Sequence, residues 1–176
     1  MPTTNPDFDA EALYRELLGQ VRAGPEGVPD AAIVGIHSGG AWLAERLARD
    51  LDLTSRLGSI DVSFYRDDYA RKGLHPDVKP THIRFAVDGA TVVLVDDVLQ
   101  TGRTTRAAIN VLFDYGRPAR IMLAALADRA GRELPVAADF VAAHVELAPG
   151  QSLSLQRQVG GERDGILSLT IEDDHA

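Results

Sequence analysis

The residues best able to do chemistry lie in one stretch, Val92-Val93-Leu94-Val95-Asp96-Asp97-Val98-Leu99-Gln100-Thr101-Gly102-Arg103-Thr104. Its four consecutive apolar residues predict a strand buried on both faces, with two carboxylates at its carboxyl end. Open α/β sheets bind ligands at that end. Neighbours on an extended chain point opposite ways, so one of Asp96 and Asp97 faces a ligand while the other orients the loop. The turn from Gln100 to Arg103 then enters a helix at Thr104, where free backbone N–H groups and threonine hydroxyls suit a phosphate monoester. Carboxylates beside a phosphate cradle imply a ligand with hydroxyls or Mg²⁺ next to its phosphate, such as a ribose 5-phosphate. Taken singly, an Asp-Asp pair is as readily a solvated turn, and a threonine as readily a helix cap. Only the joint spacing points to chemistry. Gly-x-Gly-x-x-Gly and Gly-Lys-Thr are both absent, so neither a dinucleotide fingerprint nor a Walker loop is present.

The elements that must hold this stretch follow from periodicity. Asp7 or Asp9 can cap a helix with Leu13, Leu17 and Val21 on one face, closed by Gly24. Residues 31–36 form an apolar, β-branched run. The tetrad His37-Ser38-Gly39-Gly40 follows, then a helix with Leu43, Leu47 and Leu51 on one face. Ile60, Val62 and Phe64 alternate with polar neighbours, which predicts a half-buried strand. Residues 66–80 read as a polar loop and residues 81–86 as a returning strand. A helix over 104–115 is stopped by Gly116 and Pro118, and a buried strand covers 121–127. Residues 152–158 and 166–171 pair as a hairpin across a glycine-rich turn. Strand-helix alternation with a terminal hairpin predicts one α/β domain over residues 1–176: a parallel core over about 7–140 and a small added lobe over about 141–176.

Composition narrows the function classes. A chain of 176 residues with 45% hydrophobic content is one domain with a real core. Eighteen basic against twenty-six acidic residues argue against a coat for nucleic acid or anionic membrane. The absence of cysteine removes thiolate chemistry. No apolar run approaches the ~20 residues of a membrane span, and the first nine residues lack the blocks of a secretory signal, so a cytoplasmic location is expected. Residues 60–133 carry eleven basic and ten acidic side chains, and the flanks seven and sixteen, which directs an anionic ligand to the middle.

The motif segment resembles the phosphoribosyl diphosphate (PRPP) binding stretch of type I phosphoribosyltransferases. Ser59-Ile60-Asp61-Val62-Ser63-Phe64-Tyr65-Arg66-Asp67-Asp68 before it, and Gly116-Arg117-Pro118 and Asp128-Arg129-Ala130-Gly131-Arg132-Glu133-Leu134-Pro135 after it, stand in the order found in the PyrR family. The chain is similar to those pyrimidine operon attenuation regulators with uracil phosphoribosyltransferase activity from about residue 31 to 140. The resemblance implies a type I phosphoribosyltransferase fold, a parallel sheet flanked by helices with a small hood. It implies uracil and Mg²⁺-PRPP as substrates, UMP and pyrophosphate as products, a homodimer or larger assembly, and in some members UMP-dependent binding of leader mRNA.

By the same resemblance, Asp96 and Asp97 engage the ribose hydroxyls, directly or through Mg²⁺. Val98, Leu99, Gln100, Thr101, Gly102, Arg103, Thr104 and Thr105 form the PRPP loop. His37, Ser38, Gly39 and Gly40 form the pyrophosphate turn, although a glycine turn is also what tight geometry alone requires. The family's usual turn is Lys-Thr-Arg-Gly, so two fixed charges are lost here, and restoring arginine at Gly39 is expected to strengthen pyrophosphate binding. Tyr65, Arg66, Arg71 and Lys72 either close over the diphosphate or belong to a solvated hairpin. Asp128 and Arg129 either lie beside the base or ribose, or brace their turn as a structural pair. Gly131 and Ala137 replace residues that RNA-binding members tend to carry as histidine and arginine, and seven acids follow Leu134. An enzyme is therefore expected ahead of an RNA-binding regulator or a catalytically weak sensor of PRPP or UMP.

Overall fold

Asp9 opens the first helix by accepting the Ala12 N–H at 3.0 Å, and α1 runs Ala10–Arg22. In the computed structural model the described residues are 8–24, 30–63 and 80–174. After α1 come β1 (Ala32–Ile36), α2 (Gly39–Asp50), a 3-10 turn at Thr54–Arg56 and β2 (Leu57–Ile60). The chain continues through β3 (Thr91–Leu99), α3 (Arg103–Tyr115), β4 (Arg120–Arg129) and β5 (Phe140–Val145). It ends in β6 (Gln151–Arg157) and β7 (Leu167–Asp173), an antiparallel hairpin. The first five strands form one parallel sheet in the order β2-β1-β3-β4-β5. From β1 the chain moves outward to β2, then returns to the other side of β1 to begin β3. The carboxyl ends of β1 and β3 therefore flank the point where the winding reverses, the crevice in which such sheets bind ligands.

Alternation along the strands builds two cores. Val93 and Val95 face a layer made by Leu17 and Val21 of α1 with Leu43 and Leu47 of α2. Val92 and Leu94 face the opposite layer, where Ala108, Val111 and Leu112 of α3 pack. The hairpin adds Leu155, Leu167 and Leu169 to the first core. Glu11 of α1 fastens it there: its carboxylate accepts the Leu167 N–H at 2.8 Å and both Arg46 guanidinium ends at 3.0 and 2.8 Å. Arg46 also lies over the Tyr14 ring, 4.1 Å from its centroid, and the Tyr14 hydroxyl donates to Asp50 at 2.6 Å.

Three elements differ from the sequence expectations. The alternating strand ends at Ile60, because the Asp61 carboxylate captures the Ser63 N–H at 2.8 Å and bends the chain. The rest of that alternation, Phe64 onward, lies outside the described residues. The returning strand over 81–86 is reduced to one antiparallel bridge between Ser59 and His82, since the Asp61 N–H goes to the Thr81 hydroxyl at 3.2 Å and not to a backbone carbonyl. The fifth strand, β5, has no counterpart in the sequence reading. Asp139 starts it by accepting the Leu123 N–H at 2.9 Å, and Gln20 of α1 closes its outer edge. The Gln20 amide donates to the Val141 carbonyl at 2.7 Å and accepts the Val141 N–H at 2.9 Å, as a neighbouring strand would.

The Arg46 guanidinium holds the Glu11 carboxyl below the usual glutamate range, against the opposing effect of burial. A depressed carboxylate contributes stability above the unfolded-state value near 4.3 and loses it as pH falls through the lowered folded value. Glu11→Gln is expected to lower unfolding free energy at pH 7 by about 1–2 kcal/mol and to flatten the acid limb of stability. Urea titrations of both proteins from pH 7 down to pH 3 check this.

Candidate active site at the β1–β3 crevice

β3 continues through both acids, so Asp96 and Asp97 are the end of the strand itself and not a following turn. Asp96 is buried, at 6% exposure, and its Oδ1 accepts the Asp97 N–H at 2.9 Å. Asp97 Oδ1 accepts the Val98 N–H at 2.8 Å. Each carboxylate thus uses one oxygen to stiffen the backbone that carries it.

The turn His37-Ser38-Gly39-Gly40 comes directly onto this pair. A Cβ on Gly39 would lie 2.5 Å from Asp97 Oδ2, and one on Gly40 would lie 2.4 Å from the Val95 carbonyl oxygen. Gly35 of β1 completes the contact, since its Cβ would meet the Ala41 Cα at 2.5 Å. The glycines let the start of α2 sit flush against β3. Tight geometry is therefore one reason for them, and it delivers the N-terminus of α2 to a carboxylate. Ser38, at the N-cap, makes no side-chain cap. Gly39 is not among the positive-φ glycines, so its backbone admits other residues; Asp97 is the obstacle. Arginine at 39 therefore requires the Asp97 side chain to shift.

Across the crevice, Gly102 is the N-cap of α3 with φ +90°, a conformation that favours glycine, and a Cβ there would also press on Val136 at 3.2 Å. It offers no side-chain cap to α3. The Thr101 hydroxyl accepts the Arg103 N–H at 3.2 Å. The Thr105 hydroxyl is buried with no hydrogen-bond partner among the described residues. A cavity of about 480 Å³ is lined continuously by Asp96, Asp97, Val98, Leu99, Gln100, Thr101, Gly102, Arg103, Thr104 and Thr105. Arg129, Ser152 and Leu153 complete its wall.

Asp128 pairs in register with Leu99, which brings the end of β4 beside this loop. Its bracing partner is Arg132 rather than Arg129: Arg132 Nη2 donates to both Asp128 oxygens at 2.9 Å. Arg129 lines the main cavity and a second one of about 430 Å³ formed with Asp128, Arg132, His144 and Glu146, and its Nε is buried without a partner among the described residues. Tyr65, Arg66, Arg71 and Lys72 lie outside the described residues. Sequence reading missed Ser152 and Leu153, which reach the cavity from the hairpin some fifty positions downstream, and no local pattern marks them. Among the described residues no cluster of three or more His, Asp or Glu could hold a metal. Two neighbouring carboxylates are a hard oxygen set that suits Mg²⁺ shared with a ligand's own oxygens.

A phosphoribosyl transferase domain model matches residues 9–148. The "Bifunctional protein PyrR" of Ralstonia nicotianae is 51% identical over 160 residues, covering 90% of this chain and 91% of that one. Its namesake from Nitrosococcus oceani is 50% identical over 153 residues, covering 84% and 86%. The crystal structure of purine phosphoribosyltransferase from Pyrococcus horikoshii superposes with a TM-score of 0.54 at 26% identity, covering 79% of this chain and 85% of that one. Hypoxanthine phosphoribosyltransferase from Trypanosoma cruzi, in complex with the product IMP, gives 0.58 at 19%, covering 84% of each chain.

The glycine contacts differ in what must yield. At Gly40 the obstacle is a strand carbonyl, whereas at Gly39 it is a side chain that can rotate. Gly40→Ala is expected to cost about 1–3 kcal/mol as an overpacked core site does, and Gly39→Ala clearly less. Parallel urea unfolding of the two variants and the parent tests the ranking.

Proposed function

The chain belongs to the phosphoribosyltransferase domain family and, within it, to the PyrR family, and on that footing we propose that it transfers the phosphoribosyl group of PRPP to uracil, giving UMP and pyrophosphate. The observation that carries this reading is the meeting of two helix N-termini, those of α2 and α3, whose N-cap residues Ser38 and Gly102 supply no side-chain cap, at one pair of carboxylates. A diphosphate and a monophosphate joined by a ribose need such a pair of anion sites with hydrogen-bond acceptors between them.

In the reaction the bond from ribose C1 to the diphosphate oxygen breaks, and its electrons leave with pyrophosphate. The ring gains oxocarbenium character until uracil N1 bonds to C1 and its proton departs. Thr101, Gly102, Arg103, Thr104 and Thr105 hold the 5-phosphate through backbone N–H groups and hydroxyls. The otherwise unpartnered Thr105 hydroxyl supports that placement. Asp96 and Asp97 hold the ribose hydroxyls, and their fixed negative charge favours the cationic sugar. Mg²⁺ entering with PRPP would neutralise the diphosphate and ease its departure. The 37–40 turn takes the pyrophosphate through backbone groups. His37 and Gly39 carry none of the fixed charge of the family's usual turn, so affinity for the diphosphate is modest. Asp128 and Arg129 take the base or ribose side, and the enzyme works in the cytoplasm as a homodimer or larger assembly.

A second reading, a UMP-responsive regulator that binds leader mRNA, is kept open by the word "bifunctional" in the relatives' name. Several described arginines are already neutralised: Arg46 by Glu11, Arg103 by Glu133, Arg132 by Asp128 and Arg157 by Glu45. The carboxylate beside each guanidinium repels a phosphate backbone and offsets part of its attraction. Salt titrations with a leader hairpin and its scrambled form are expected to show no nanomolar, structure-selective complex, with or without UMP.

Asp97→Asn is expected to lower PRPP-dependent UMP formation about a hundredfold or more while leaving the urea midpoint near the parent's. Single-turnover assays with PRPP, Mg²⁺ and each nucleobase in turn measure both the loss and the base preference. Turnover equal to the parent's contradicts the placement of Asp97.

A further inference from the structure

Beyond β4 the chain turns at Gly131, where φ is +117°, and runs along the back of the loop that carries Thr101 and Gly102. Two backbone donors there converge on one acceptor: the N–H groups of Glu133 and Leu134 both donate to the Thr101 carbonyl at 3.0 Å. Arg132 takes the preceding carbonyl. Its Nη1 donates to the Gln100 oxygen at 2.5 Å, while Nη2 is anchored by both oxygens of Asp128 at 2.9 Å. Arg103 Nε closes the same seam on Glu133 at 2.9 Å. In a trans peptide the carbonyl and the next N–H point in opposite directions. Holding the Gln100 and Thr101 carbonyls toward this strut therefore turns the Thr101 and Gly102 N–H groups the other way. The main cavity lies on that other side, since Gln100, Thr101 and Gly102 line it and residues 131–134 do not.

We propose that Arg132 is a positioning residue for phosphate binding: by bridging Asp128 to the Gln100 carbonyl it locks the peptide that aims the Thr101 N–H at the ligand's 5-phosphate. It touches no ligand and acts through the loop. The inference rests on the PRPP reading of that loop. The planar guanidinium matters more than its charge, because it presents its donors in fixed directions to two acceptors at once, which a single ammonium does not reproduce. Asp128 then serves as the anchor that transmits the position of β4 to the loop.

The test compares Arg132→Ala and Arg132→Lys with the parent, in steady-state kinetics with PRPP and uracil and in hydrogen exchange of the intact protein. Misplacing one binding peptide is expected to raise the KM for PRPP on the order of tenfold or more, by more than either kcat or the KM for uracil changes. Lysine is expected to behave like alanine. Amides of residues 100–103 are expected to exchange faster in both variants, with those of β3 and β4 unchanged. A parent-like KM for PRPP in a folded Arg132→Ala protein, or full rescue by lysine, overturns the proposal. So does unaltered exchange at 100–103. A parent protein that neither binds nor consumes PRPP instead refutes the reading of the site, and the exchange measurement then still decides whether Arg132 locks the loop.

Discussion

The structure depends on a backbone-to-backbone contact. The start of α2 lies against β3 so closely that a single Cβ on Gly40 would overlap the Val95 carbonyl, with Gly35 clearing the same space from β1. A helix that begins this tightly against the neighbouring strand shares one small volume with that strand's carboxyl end. Asp97 fills the one gap left, beside Gly39. The proximity of the acid pair to the turn at residues 37–40 follows from that packing.

The two-faced sheet explains why the contact is stable. Val93 and Val95 belong to the core beneath α1 and α2, and Val92 and Leu94 to the core beneath α3. Residues alternating along one strand thus anchor both helices whose N-termini meet at the crevice. The two helix N-termini are consequently fixed relative to each other by the strand between them, so a ligand spanning them as proposed would meet a preformed distance. Preorganisation of this kind lowers the ordering cost of binding.

The strands and helices of the central sheet were legible because their signals are local. The runs at β1, β3 and β4, the glycine stop after α3 and the acid pair with its threonine loop each fall within a short window. What escaped depends on distant partners. β5 is a short segment with adjacent alanines whose edge is completed by Gln20, 121 positions earlier. Ser152 and Leu153 reach the cavity only because Glu11 and the leucines of the hairpin dock it on α1. Asp128 was legible as half of a bracing pair, but its partner was not: Arg129 is adjacent in sequence, while the i,i+4 residue Arg132 reaches it across the Gly131 turn. The early end of β2 reflects competition within four residues, an aspartate side chain against a strand hydrogen bond, which alternation of hydrophobicity does not record.

Gln20 has a consequence for how this molecule meets its own copies. The outer strand of an open sheet is a template on which another chain can lengthen the sheet, and Val141 on β5 offers both a donor and an acceptor for that purpose. The Gln20 amide occupies both, at 2.7 and 2.9 Å, from a helix built into the core. An incoming strand must first dislodge a side chain that already satisfies it. Growth of the sheet into fibres or swapped dimers at this margin is thereby discouraged.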